Sequence, residues 1–487
     1  MNKRTRKLLI ATALIAFIML NSFGNTIYGR LTGVNWFGFE TGNYVAHGLW
    51  TRDYKSMLQQ IKDLGFNCIR LPWCNEMLGK TPDSIQINEY GTDAYTGQTG
   101  LNLDLEGLSS IEVMDKIIDH ADTIGLYIIL DNHSRAADGY MNETLWYTSS
   151  YSEQKWIDDW CDLISRYKNN SCVIAADLNN EPHGSTGAGM KPPASWGYDV
   201  PGYGNTDWKA AASRCGSAIL RVNSRILILV EGIEEYPQGH GYWWGGNLKG
   251  VRDYPITSIP SGNLVYSPHE YGSSVHPQTW FSEPDFPNNM YAIWQEHFWF
   301  IYEENIAPLL FGEFGLTDSA ANNPSSTDYK WFTTFMDLIG RQTSWTFWSF
   351  NPNSGDTGGI LEDDWVTVVS AKYNLLRPYL AGNTGPVSTI APTPTTVPTP
   401  TPTPTTVPTP TPTPEFTSES EGIPGDVNND NSVNVVDALL VAQYYVGIIP
   451  SIFNPDNADV DCSSAINIVD ALLIARYYVG LITSFPC

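Results

Sequence analysis

Two glutamates stand in surroundings that a solvated carboxylate does not need. Glu181 follows the apolar run of VIAADLNNEP at 173–182, and Glu313 interrupts PLLFGEFG at 308–315. A carboxylate beside apolar sequence is costly unless it is paired or used. Two such groups suit glycoside hydrolysis, where one carboxylic acid protonates a leaving oxygen and the other attacks as carboxylate, provided their surroundings push their proton affinities apart. The companions stand at the ends of other apolar runs: Arg70 in NCIRLP, Asp131 and His133 in YIILDNH, Asn180 beside Glu181, His269 and Tyr271 in LVYSPHEYG, and Trp348 in SWTFWSF. Arg70, His269 and Tyr271 offer charge and hydrogen bonds to keep one glutamate ionised, and Trp348 offers a flat floor for a sugar ring. Each alone has a plain structural role as core histidine, buried ion pair or packing tryptophan. A fold that brings all of them to one face separates the two readings.

The elements that must position them follow from periodicity. Eight short apolar runs (33–38, 67–72, 127–133, 173–182, 227–232, 264–272, 308–315 and 344–350) alternate with helix-period segments such as 53–64, 108–124, 152–168, 207–222 and 327–340. Strands alternating with helices over this length predict an α/β fold, a (β/α)8 TIM barrel. The active site of such a barrel lies where the C-terminal ends of its strands meet, which is where the polar residues stand. Pro182 is expected to end the fourth strand and so turn Glu181 into the cleft.

Composition narrows the function. The chain has 487 residues and a formal net charge of -25, which argues against nucleic acid as a partner, since its binders need a basic face. Lys3, Arg4, Arg6 and Lys7 precede the apolar run Leu8 to Leu20, too short to span a bilayer, so residues 1–29 read as a secretory signal peptide and predict a secreted protein. No other apolar run is long enough for a membrane span. Residues 383–421 are a Thr/Pro-rich linker, extended and with nothing to bury, between a large domain at 31–382 and a small one at 422–487. Seven cysteines form no regular framework, and most are expected to be buried, inert thiols.

The large domain resembles glycoside hydrolase family 5, carried by IRLP, LDNH, LNNEP, HEYG, FGEFG and TFWSFNPNSGDTGGIL in order, while GVNWFGFET and YWWGGN point to its bacterial endoglucanases. The resemblance implies retention through a covalent glycosyl-enzyme, with Glu181 as acid/base and Glu313 as nucleophile. It further implies that Asn180 bonds the sugar 2-hydroxyl, that Arg70 and Tyr271 orient Glu313, and that His133 and His269 line the cleavage subsite. Trp348, with a cis peptide after it, would stack on the sugar; Trp50 and Trp244 are expected as further platforms. No cofactor is required for this chemistry. The implied activity is endo-β-1,4-glucanase on cellulose or a related β-glucan. The alternatives are another β-glycan (mannan, mixed-linkage glucan or xyloglucan) or a non-catalytic sugar-binding protein.

The small domain is a repeat: VDALLVAQYYVG at 436–447 returns as VDALLIARYYVG at 469–480. Each copy follows an acidic loop with Ca2+-loop spacing. The first presents Asp426, Asn428, Asp430, Asn434 and Asp437 with the Ser432 carbonyl; the second presents Asp459, Asp461, Ser463, Asn467 and Asp470 with the Ala465 carbonyl. This pattern resembles a dockerin, which implies docking onto a cohesin-bearing scaffold protein. Two departures stand out: Asn431 and Ser464 replace the loop glycine, and Val435–Val436 and Ile468–Val469 make the expected contact apolar.

Overall fold

The computed structural model describes residues 28–382 and 423–486, except 88–90, 140, 187–190, 431, 446–452, 464, 479–481 and 483. The expected signal peptide and linker therefore lie outside the described residues, apart from residues 28 and 29. The chain divides into a large unit within 23–389 and a small unit within 390–487. Among the described residues, no helix is long and apolar enough to cross a membrane.

The large unit carries eight strands: β1 (Thr32–Asn35), β2 (Cys68–Cys74), β3 (Tyr127–Ser134), β4 (Val173–Asp177), β5 (Leu227–Val230), β6 (Leu264–Tyr266), β7 (Leu310–Phe311) and β8 (Ser344–Phe347). All pair in parallel in the order β6-β5-β4-β3-β2-β1-β8-β7. A parallel bridge between Tyr266 and Leu309 joins the two ends, with the Tyr266 amide donating to the Pro308 carbonyl at 3.0 Å. This is the (β/α)8 barrel.

The intervening helices include Tyr54–Asp63, Ser110–Ile124, Glu153–Tyr167, Trp208–Val222 and Thr327–Ile339. Each starts after an aspartate or serine whose short side chain caps the first turn: Asp53, Ser109, Ser152, Asp207 and Ser326. Their buried faces carry the apolar positions at helical spacing and cover the outside of the barrel.

The barrel interior is a separate apolar plug that includes Leu31, Cys68, Ile129, Ala175, Leu229, Val265 and Leu310. Side chains alternate across a strand with period two. Two residues beyond Cys68, Ile129, Ala175 and Leu229 come Arg70, Asp131, Asp177 and Glu231, so the plug gives way to a charged layer near the strand C-termini.

Six strands stop earlier than their apolar runs suggested, while β2 and β3 run one or two residues further. β4 ends at Asp177 and not at Pro182, and Glu181 has a left-handed backbone with φ 46°. Its direction is set by a turn, and proline does not end the strand. His269, Tyr271, Glu313 and Trp348 likewise stand one to five residues past their strands.

Cys68, Cys74, Cys161, Cys172 and Cys215 are free, and all but Cys161 are buried. Burial pushes the Cys74 and Cys172 thiols up to about 12, which makes them unreactive near neutral pH. Cys462 is disulfide-bonded.

The small unit packs two helices, Val435–Tyr445 and Ile468–Tyr478, over a core that includes Val427, Val441, Val460 and Ile474.

Candidate active site

Arg70 is the centre from which the charged layer is built. It is fully buried, and its guanidinium meets Asp131 at 3.1 Å, Asp177 at 2.8 Å, Glu231 at 3.1 Å and Glu313 at 2.7 Å. Burial opposes its charge, but the four surrounding carboxylates hold it protonated well above the ordinary arginine value. Nη2 also donates to Asn180 Oδ1 at 2.8 Å. That bond fixes the amide so that Nδ2 faces His133 Nε2 at 3.5 Å.

The two glutamates receive different support. Glu313 Oε1 accepts from Arg70 Nη1 at 2.7 Å, and Oε2 accepts from the Tyr271 hydroxyl at 2.9 Å. Glu181 Oε1 lies 2.9 Å from His269 Nδ1. Burial and the neighbouring Glu313 charge push Glu181 well above the ordinary carboxylate range. Burial raises Glu313 as well, while Arg70 and His133 pull it back. Burial pushes His269 far below the ordinary imidazole value, with Arg70 and His133 acting in the same sense, so its ring is neutral. His133 is the opposite case: burial lowers it, but the Asp131 carboxylate 2.7 Å from Nδ1, with Glu313 and Glu40, outweighs burial and raises it.

One oxygen each of Glu181 and Glu313, with a His269 nitrogen, lie within 4.8 Å of one another. A cleft of about 480 Å³ opens over them, a volume in the small-ligand range. Of the expected residues, His133, Glu181, Trp244, Tyr271, Glu313 and Trp348 line it. Trp348 stacks against His133 at 5.6 Å and Phe37 at 5.3 Å, and the Trp348–Ser349 peptide is cis. Trp244 is 40% exposed and lies flat on His183, with ring centroids 3.7 Å apart.

Two expectations need correction. His269 is fully buried behind the cleft, so it acts on Glu181 and does not line the subsite; Arg70, equally buried, holds Glu313 and does not meet substrate. Trp50 packs edge-on against Trp365 at 5.1 Å and beside His47 at 5.3 Å, and it does not line this cleft.

Sequence reasoning missed Asp177, Glu231, Glu234, Glu270 and Asp356. Glu270 accepts from the Tyr242 hydroxyl at 2.5 Å and from the Trp294 and Trp331 indoles at 2.9 and 3.1 Å, which anchors the His269–Tyr271 segment. Period-two parity from Ala175 and Leu229 is the signal that could have found Asp177 and Glu231.

In the small unit the two acidic loops have matching geometry. Asp437 accepts from the Val427 and Asn434 amides at 2.9 and 2.8 Å; Asp470 accepts from Val460 and Asn467, both at 2.9 Å. Asp430 and Ser463 each place their amide 3.0–3.1 Å from the first-position aspartate, Asp426 or Asp459. Oxygens of Asp459, Asp461 and Asp470 lie within 4.8 Å of one another. The donors are all hard oxygens, and residues 423–487 hold seven aspartates against one arginine, so the loops fit calcium. The carbonyls of Ser432 and Ala465 accept from the Asn434 and Asn467 amides at 3.2 and 2.9 Å.

Residues 24–354 match the model of Cellulase (glycosyl hydrolase family 5), and residues 424–478 match that of the Dockerin type I domain. An endoglucanase of Paenibacillus polymyxa is 47% identical over 349 residues, covering 71% of this chain and 81% of its own length. Endoglucanase G of Acetivibrio thermocellus is 34% identical over 505 residues, covering 90% of this chain and 85% of its own. An endocellulase structure from the archaeon Pyrococcus horikoshii superposes with TM-score 0.64 at 41% identity, covering 72% of this chain and 92% of that one. A barrel with this carboxylate pair, matched over most of its length, belongs to glycosyl hydrolase family 5, the cellulase family, and the chain carries a type I dockerin domain after it.

Proposed function

We propose that the protein is a secreted endo-β-1,4-glucanase that cleaves internal bonds of cellulose or a related β-glucan with retention, and that its dockerin domain tethers it to a cohesin-bearing scaffold. The observation that carries the reading is the carboxylate pair, Glu181 and Glu313, with oxygens within 4.8 Å at the floor of the cleft. Retaining glycosidases hold their carboxyls about 5–5.5 Å apart, whereas inverting ones leave about 6.5–9.5 Å for a water.

Glu313, held by Arg70 and Tyr271, attacks the anomeric carbon with an oxygen lone pair as the bond to the leaving oxygen breaks. Glu181 gives its proton to that oxygen. In the second step Glu181, now a carboxylate, takes a proton from water, which displaces Glu313 from the sugar. Trp348 supplies the floor beneath the reacting ring, and Asn180, whose Nδ2 donates to Met141 Sδ at 2.6 Å, would give that N–H to the 2-hydroxyl once the sugar displaces Met141. Trp244 rests on His183, two residues beyond Glu181, which makes it a platform on the leaving-group side.

The dockerin loops would hold calcium through Asp426, Asn428, Asp430, Asn434 and Asp437 and through Asp459, Asp461, Ser463, Asn467 and Asp470. The ion supplies the charge that lets these oxygens crowd together. Val436 and Val469 are 47% and 46% exposed and offer an apolar contact to the scaffold, while the side chains of Val435 and Ile468 lie outside the described residues.

A dinitrophenyl 2-deoxy-2-fluoro-β-cellobioside should trap a sugar on Glu313, located by peptide mass mapping. Label on Glu181 reverses the roles, and inversion of the released anomer sinks the mechanism. Viscosity of a soluble cellulose should fall before much reducing sugar appears. Val436→Asp with Val469→Asp should weaken capture by the native scaffold without loss of calcium binding.

A further inference from the structure

Glu231 is a fully buried carboxyl that the mechanism above does not use. It stands just past β5 and makes three contacts inside the site. Oε2 accepts the backbone N–H of Glu181 at 2.7 Å. Oε1 meets Arg70 Nη2 at 3.1 Å and lies 3.3 Å from His269 Nε2. That last contact is too far off axis for a made hydrogen bond, and Nε2 has no other hydrogen-bond partner. The other ring nitrogen, Nδ1, faces Glu181 Oε1 at 2.9 Å. One imidazole therefore sits between two carboxyls, one of them the acid/base.

The surroundings are built to this arrangement. A Cβ at Gly245, whose φ is +67°, would stand 2.4 Å from Glu231 Oε2 and 3.3 Å from the Glu181 Cα. A Cβ at Gly312 would stand 2.6 Å from His269 Nε2. Glycine at both places lets the three groups meet.

We infer that Glu231 is a positioning residue for the acid/base: it shares one proton with Glu181 through the His269 ring, and it holds the Glu181 backbone in its left-handed turn. In one arrangement Glu181 O–H donates to Nδ1 while Nε2–H faces the Glu231 carboxylate. In the other, the Glu181 proton has moved to Nδ1 and the Nε2 proton to Glu231. Two protons move one step each, the ring stays neutral, and no co-reactant is needed. Burial and the neighbouring Asp177 push Glu231 well above the ordinary carboxylate range, as burial and Glu313 do for Glu181, so both carboxyls favour the protonated form. The other groups facing this chain are Arg70 from β2, Asp131 and His133 from β3, Asp177 from β4, Glu313 beyond β7 and Asp356 at the cleft.

Glu231→Gln removes the competing charge, so Glu181 should lose its proton at lower pH. The inference rests on Glu181 as acid/base, and Glu181→Gln is measured in parallel. For Glu231→Gln the alkaline limb of kcat/KM on cellotetraose should move down by about one pH unit, a roughly tenfold loss on that limb. Dinitrophenyl β-cellobioside, whose leaving group needs no proton, should lose much less, and Glu231→Asp should restore part of the limb. An unmoved limb with equal loss on both substrates would make Glu231 merely structural. If Glu181→Gln itself loses equally on both substrates, the acid/base reading fails instead. In the wild-type protein, the 15N shifts of His269 should lie between the values for protonated and bare nitrogen at both ring positions. A single fixed Nδ1–H tautomer across the pH range would overturn the shared proton, whatever the variants do.

Discussion

The barrel site and the dockerin loops both crowd carboxylates into a small space, and they resolve the crowding differently. In the barrel, four carboxyls (Asp131, Asp177, Glu231 and Glu313) surround Arg70 with Glu181 close by, all of them buried. Burial penalises the charges that Arg70 does not compensate, so Glu181 and Glu231 are pushed well above the ordinary carboxylate range and Asp177 is raised to about 7. In the loops, Asp430, Asp459 and Asp461 are partly or largely open to solvent, while Asp426, Asp437 and Asp470 are buried and accept backbone amides. Their natural counterion is a divalent cation. The difference teaches that the cation at hand decides what a carboxylate cluster becomes: Arg70 stands inside the barrel's cluster, whereas residues 423–487 hold seven aspartates against one arginine and call for a divalent ion.

The largest expected effect tests the barrel cluster directly. Glu313→Ala and Glu181→Ala should each cost about a thousandfold or more in rate on cellulose, with azide restoring turnover of an activated substrate only for Glu181→Ala. Next comes the built-in counterion. Arg70→Met leaves buried carboxylates without their cation and should destabilise the fold by about 3–5 kcal/mol in chemical denaturation. A stable variant would show that protons alone suffice and would erase the contrast.

Chelation tests the loops. In the full chain it should expose 423–487 to protease and remove part of the helical signal, while hydrolysis of a soluble glucan continues unchanged. Calcium at about a hundred times its Kd should contribute roughly 2.7 kcal/mol to that unit. If activity falls with the helical signal, the two regions are not independent.

Stability against pH sharpens the barrel side. Asp177 and Glu270 are each raised to about 7, by burial first. A raised carboxyl contributes stability that is fully present below its unfolded value and is lost as pH rises through the folded value. The barrel Tm should therefore fall between about pH 4 and 7, and Asp177→Asn should flatten part of that fall, by a few degrees. The smallest effect is expected at Trp244→Ala. One exposed platform is lost there, so KM should rise about three- to tenfold with kcat nearly unchanged.

Much of this was legible in the chain because periodicity and residue type carry it. Eight apolar runs gave the barrel, and a 33-residue repeat gave paired loops whose Asp437 and Asp470 make the same amide contacts. Strand ends were misread because an apolar run does not record where ladder pairing stops. Glu181 is placed by a left-handed turn held from Glu231, a contact fifty residues away. Trp50 and Trp244 look alike in sequence, yet one packs on Trp365 and the other lies open over His183.

The sequence by itself determined the residue types, the alternation of strands and helices, the two acidic loops and the pair of glutamates, since each rests on local pattern. Only the tertiary structure decided that Arg70 and His269 stand behind the cleft, that Glu231 and Asp177 join them, and which carboxyl keeps its proton. The physical reason is that proton affinity depends on burial and on charges a few ångströms away, and those neighbours come from strands far apart in the chain.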